Sequence, residues 1–185
     1  MATSFGPSAL ATPANGVTVA RLLTAPLLFA MIEGTEGSWA AFLVWTALCV
    51  TDGIDGILAR RHGTTRSGAF LDPLADKVLV LGAMFALVQE DVFWWLPVGL
   101  IAVREIAISM YRSFAGKQGI TIPARRGAKL KTLCQQLAVG FALAPPLADE
   151  RWLFNTFLWV AVVLTLVTGA QYLFDARRVA RQQLA

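Results

Sequence analysis

Apolar stretches of about twenty residues recur along the chain, separated by short polar links, and each is long enough to cross a bilayer as a helix. The windows run at roughly 16–33, 37–60, 70–89, 92–114, 127–148 and 152–175. The links GTEGS, RHGTTRSG, QED, GKQGITIPARRGAK and PPLADER concentrate the glycine, proline and charged residues that interrupt helices. This pattern predicts an all-α fold, an integral membrane bundle of six transmembrane helices. No polar linker or second soluble block divides residues 1–185, so one domain is expected, with residues 1–14 flexible. That N-terminal segment has no Lys or Arg and so lacks the charged start of a cleaved signal peptide.

Composition agrees with this reading. Of the 185 residues 56% are hydrophobic and 15% charged, and the mean hydropathy is +0.59, where soluble domains carry nearer a quarter charged residues. Cys49 and Cys134 both lie in apolar windows and read as small buried side chains, not as a disulfide or metal pair. His62, in the link after the second window, reads as a solvated loop residue.

Charge orients the bundle. Arg21, Arg60, Arg61, Arg66, Lys77, Arg112, Lys117, Arg125, Arg126, Lys129, Lys131, Arg177, Arg178 and Arg181 fall on one side. The opposite links carry Glu33, Glu36, Glu90, Asp91, Asp149 and Glu150. The positive-inside rule then places both termini in the cytoplasm. Trp94, Trp95 and Trp152 flank the acidic links as interfacial anchors. The net charge of +4 follows topology rather than any nucleic-acid-binding pattern, so no nucleic acid partner is expected and membrane lipids are.

The chemistry concentrates in TDGIDGILARRHGTTRSGAFLDPLADK. Asp52 and Asp55 are three residues apart and Asp72 and Asp76 four, so each pair shares a helix face. The link between them is short, so the two helices return antiparallel and their acidic ends can converge at the cytoplasmic boundary. Four carboxylates there need compensation, and one or two divalent cations of the hard class, Mg²⁺, Mn²⁺ or Ca²⁺, supply it. A cation so held can neutralise a pyrophosphate during phosphoryl transfer. Asp76, deepest in the third window, is the candidate proton acceptor. Gly56, Ala59 and Gly68 leave space for a ligand. The competing reading pairs these acids with Arg60, Arg61, Arg66 and Lys77 in a solvated salt-bridge network.

Asp52-x-x-Asp55-Gly56-x-x-Ala59-Arg60, followed by Gly68-x-x-x-Asp72-x-x-x-Asp76, resembles the signature of the CDP-alcohol phosphatidyltransferases. Seven residues separate Arg60 from Gly68 here, where that family more often has eight. The resemblance implies a six-helix membrane enzyme, commonly a homodimer, in which Asp52, Asp55, Asp72 and Asp76 hold two Mg²⁺ or Mn²⁺ ions and Asp76 is the base. It implies a cytidine nucleotide site at Asp55, Gly56, Ala59, Arg60, Arg66 and Gly68. Asn15-x-x-Thr18-x-x-Arg21, Arg104-Glu105-Ile106 and Lys129-x-Lys131-Thr132 look like the phosphatidylglycerophosphate synthase branch, which adds Asn15 and Thr18 to the nucleotide site. That branch implies CDP-diacylglycerol as donor, sn-glycerol 3-phosphate as acceptor, and a bacterial inner (plasma) membrane with the active site facing the cytoplasm.

A phosphorylated acceptor needs charge-assisted donors, and the basic cluster after the fourth window offers Arg112 and Lys131, assisted by Arg125 or Arg126. Arg104 and Glu105, embedded in the fourth window, are expected to be structural, and Gln135 and Gln136 to form interhelical hydrogen bonds. Within the same chemistry the acceptor alternatives are phosphatidylglycerol, which would make a cardiolipin synthase, and inositol phosphate. From other classes, a cation transporter would put its carboxylates near mid-membrane on several helices, and a silent scaffold would not need the aspartate signature.

Overall fold

Among the described residues six helices stand where the apolar windows lie: α1 (Pro13–Ile32), α2 (Trp39–His62), α3 (Gly68–Gln89), α4 (Trp95–Lys117), α5 (Arg126–Leu143) and α6 (Arg151–Gln183). The computed structural model describes residues 13–32, 37–62, 68–117 and 126–183, with side chains over 16–32, 37–51, 74–111 and 129–172. No strand forms among the described residues. The expected flexibility of residues 1–14 lies almost wholly outside them.

Local chemistry sets the helix ends. Pro13 opens α1, where its missing N–H costs nothing. Ser38 caps α2, its Oγ accepting from the Ala41 N–H at 3.4 Å. Two boundaries differ from the sequence reading. α5 stops at Leu143 instead of 148, because Pro145 and Pro146 offer no amide donors and Pro145 disfavours helical geometry at Ala144. His62 closes α2 instead of belonging to the link after it.

The links α1–α2, α3–α4 and α5–α6 meet at one end of the bundle. Ser38 N–H donates to the Leu143 carbonyl at 3.0 Å, tying the first link to the last turn of α5. Gly37 has φ +79, and a Cβ there would lie 2.9 Å from Ala148 Cβ and 3.1 Å from Pro145 Cα, so this turn needs glycine. Phe93, from the α3–α4 link, stacks on Phe154 at the start of α6 with ring centroids 5.7 Å apart. Successive helices therefore run up and down, and the aspartate-bearing ends of α2 and α3 fall at the opposite end.

α1 packs against both α2 and α3. Its buried face is Thr18, Arg21, Ala25, Leu28 and Ile32, the alternating three- and four-residue step of a helix seam. Higher up, the Phe29 ring rests on Gly82 of α3, where a Cβ would come within 2.2 Å of Phe29 Cζ. The core is lined with small residues, among them Ala41, Ala83, Ala138, Ala142 and Ala161, which let the helices approach closely. Among the described residues, Arg151–Tyr172 is both long and apolar enough to cross a membrane, and Gly16–Ile32 and Trp39–Thr51 are shorter apolar stretches. Charges interrupt the others: Asp76 and Lys77 in α3, Arg104 and Glu105 in α4, Lys129 and Lys131 in α5. Cys134 is buried and Cys49 half-buried, and neither forms a disulfide.

Candidate active site

Asp76 receives a charge-assisted hydrogen bond from α1. Arg21 Nη1 donates to Asp76 Oδ1 at 3.0 Å, with the arginine 2% and the carboxylate 37% exposed. Arg21 lies eight residues from the start of α1 and Asp76 eight from the start of α3. The two helices run parallel, so this common offset puts both groups at one height, about 12 Å along each axis. Thr18, one turn before Arg21 on the same face, is buried at 2% exposure. A guanidinium out of water holds the carboxylate from the interior of the bundle, while the carboxylate itself stays partly accessible to solvent.

Asp52 and Asp55 lie in the closing turns of α2, and Asp72 in the second turn of α3. Their side chains lie outside the described residues, as do those of Asn15, Gly56, Ala59, Arg60, Gly68, Arg112 and Arg126. Arg66 and Arg125 fall outside them altogether. Backbone placement still constrains the four acids. Each lies within about 15 Å, along its own helix, of the facing ends His62 and Gly68. The five residues between those ends span at most roughly 22 Å. Among the described residues alone, no group of three His, Cys, Asp or Glu side chains gathers as a metal site.

Lys131, expected among the cationic acceptor residues, is buried, 5% exposed, and donates to Glu105 Oε1 of α4. Lys131 also lies within electrostatic reach of Lys77, the neighbour of Asp76, which brings α5 up to the aspartate-bearing helix. Arg104 and Glu105 pair although they are adjacent in sequence: Arg104 Nη1 donates to Glu105 Oε1 at 3.0 Å, the arginine side chain being long enough to span neighbouring helix positions. Gln136 takes part in an interhelical bond through its backbone carbonyl, which accepts from Trp45 Nε1 at 3.2 Å. The Gln135 Nε2, expected to bond across helices, is buried without a hydrogen-bond partner. Sequence reasoning missed the links of Arg21 to Asp76 and of Glu105 to Lys131. The available signal was an arginine and a glutamate inside apolar windows, which demand partners.

A profile of the CDP-alcohol phosphatidyltransferases matches residues 11–167. The chain belongs to this family. Relatives agree over most of their lengths. A Mycobacterium tuberculosis protein named "Probable phosphatidylglycerophosphate synthase" is 36% identical over 94% of this chain and 85% of its own. The Escherichia coli strain K12 protein named CDP-diacylglycerol–glycerol-3-phosphate 3-phosphatidyltransferase is 37% identical over 87% of this chain and 92% of its own. A Pseudomonas fluorescens protein with that same name is 40% identical over 86% of this chain and 87% of its own. In this CDP-alcohol phosphatidyltransferase the motif's first half lies on α2 and its second half on α3. Asp52, Asp55, Asp72 and Asp76 would offer a metal only carboxylate oxygens, the hard-oxygen chemistry that suits Mg²⁺ or Mn²⁺.

Proposed function

We propose that this CDP-alcohol phosphatidyltransferase transfers a phosphatidyl group from CDP-diacylglycerol to sn-glycerol 3-phosphate, giving phosphatidylglycerophosphate and CMP. The observation that carries the reading is the aspartate motif on α2 and α3, in a chain whose relatives are named for this reaction across nearly their full lengths. Asp52, Asp55, Asp72 and Asp76 would hold two divalent ions, Mg²⁺ or Mn²⁺. Bound there, such ions supply positive charge to the donor pyrophosphate and the departing CMP. Asp76 accepts the proton of the acceptor's 1-hydroxyl, and that oxygen bonds to the phosphorus carrying diacylglycerol. The bond from this phosphorus to the bridging oxygen breaks, and its electron pair leaves with CMP. Arg21 keeps the Asp76 carboxylate oriented through the step. Asn15, Thr18, Asp55, Gly56, Ala59, Arg60, Arg66 and Gly68 would border the cytidine nucleotide, and Arg112, Arg125, Arg126 and Lys131 the acceptor phosphate.

We further propose that all six helices lie in the plasma membrane, with both termini and the active site on the cytoplasmic side, and that the enzyme is a homodimer. Every helix presents large apolar side chains outward, for example Leu23, Leu43, Phe85, Val103, Leu130 and Val163, which supports lipid on all sides. Trp94, Trp95 and Trp152 are exposed near the end that carries Glu90, Asp91, Asp149 and Glu150, as interfacial anchors should be. The deciding experiment is an acceptor screen with purified enzyme and CDP-diacylglycerol. Glycerol 3-phosphate, phosphatidylglycerol, inositol phosphate and serine are offered in parallel and CMP release is followed. Release with glycerol 3-phosphate is expected; release with another acceptor alone overturns the assignment.

A further inference from the structure

The buried charges joining α4, α5 and α6 form a connected chain. Lys131 and Arg104 donate to the same oxygen, Glu105 Oε1, the arginine at 3.0 Å. Arg104 also crosses to α6, where Nη2 donates to Thr168 Oγ1 at 3.0 Å. Gly169 makes room for that crossing, since a Cβ there would lie 3.1 Å from Arg104 Nε. Glu105 is 8% and Lys131 5% exposed, so two cations share one carboxylate away from water. Surplus positive charge in such surroundings is unfavourable until an anion meets it. An ammonium has three N–H donors, and Glu105 accepts from one of them. One turn further along the same face of α5, Gln135 holds its buried Nε2 with no acceptor. Among the described residues, donors and positive charge in this cluster thus exceed the acceptors, beside the helix that carries Asp76.

We infer that Glu105 is a positioning residue for the acceptor phosphate: it reaches from α4 to fix the Lys131 ammonium of α5, braced from α6, on which both helices pack, through Arg104 and Thr168. An anionic phosphate meets the surplus positive charge there and a neutral headgroup does not. The clamp holds in one place a side chain that would otherwise sample many rotamers, so less ordering remains to be done when the ligand arrives. This inference rests on the reading of Lys131 as a phosphate ligand.

Saturation curves for both substrates, measured on wild type, Lys131→Met, Glu105→Gln and Glu105→Asp, test it, together with the protection glycerol 3-phosphate gives against thermal unfolding. Lys131→Met and Glu105→Gln are each expected to raise the KM for glycerol 3-phosphate about tenfold or more, as expected for loss or misplacement of one charge-assisted hydrogen bond. Both should leave kcat and the KM for CDP-diacylglycerol within about twofold of wild type, and both should shrink the protection given by a fixed concentration of glycerol 3-phosphate. Glu105→Asp keeps the charge but draws the carboxylate back by one methylene, and should raise the acceptor KM about threefold. If Lys131→Met raises that KM and neither Glu105 variant does, the inference is overturned while the Lys131 reading stands. An unchanged acceptor KM in Lys131→Met removes the Lys131 reading and the inference together. Where Glu105→Gln does not fold, Glu105→Asp decides, an unchanged acceptor KM overturning the inference. A lowered kcat with both KM values shifted alike and a lower melting point assigns Glu105 a structural role only, and overturns it too.

Discussion

Arg21 Nη1 and Asp76 Oδ1 stand 3.0 Å apart across the α1–α3 seam, 55 residues apart in sequence. The arginine is buried and the carboxylate half-exposed, so the pair joins the interior of the bundle to the end that carries the aspartate motif. Because α1 and α3 are parallel and packed by the Phe29–Gly82 contact, the height of Asp76 is set by rigid elements rather than by a loop.

Arg21→Gln removes the cation that orients Asp76 and substitutes a neutral amide in a buried position. Turnover should fall about ten- to a hundredfold, in line with a misplaced catalytic group. The Mg²⁺ concentration for half-maximal activity should also rise, because Asp76 is one of the expected ion ligands. Titrating Mg²⁺ against the initial rate of CMP release checks both; a normal Mg²⁺ response in a folded variant argues against the orienting role.

Asp76→Asn keeps size and shape but cannot take the acceptor's proton. Loss of a general base is worth about 10²–10⁴ in rate, and removal of an ion ligand adds to it. Labelled CDP-diacylglycerol should still bind, measured in detergent or nanodiscs, while CMP release drops to background. Undiminished release would remove Asp76 from the base role.

Chelation offers an independent check. Excess EDTA should silence the enzyme, and Mg²⁺ or Mn²⁺ should restore it, because four carboxylates at one bundle end favour a hard divalent cation. Turnover that survives exhaustive chelation would exclude the ion-assisted reading.

Two glycines should respond oppositely to the same substitution. Gly37→Ala puts a Cβ against Ala148 and Pro145 at φ +79, and should destabilise the protein by about 1–3 kcal/mol. Gly99, inside α4, has open space where a methyl group would stand, with no atom within 4 Å, and Gly99→Ala should be neutral or stabilising by up to about 1 kcal/mol. Thermal unfolding in one detergent measures both.

Six helices and the placement of the four aspartates on two of them were legible in the chain, because apolar run length and helical spacing are local properties. The end of α5 was legible too, in Pro145 and Pro146, but the apolar run across them masked the signal. The ion partners were not. The sequence offers sixteen basic residues for any one carboxylate, and nothing local selects among them. Arg21 finds Asp76 only because α1 and α3 pack at matching heights, and Lys131 finds Glu105 only because α4 and α5 both pack on α6. Arg104 meeting its neighbour Glu105 depends likewise on α6, whose Thr168 and Gly169 accept and make room for the guanidinium. Secondary structure and motif follow from the order of residues along the chain; which buried charges neutralise one another follows from helix packing, since burial makes an unpaired charge costly and packing decides which partners lie within reach.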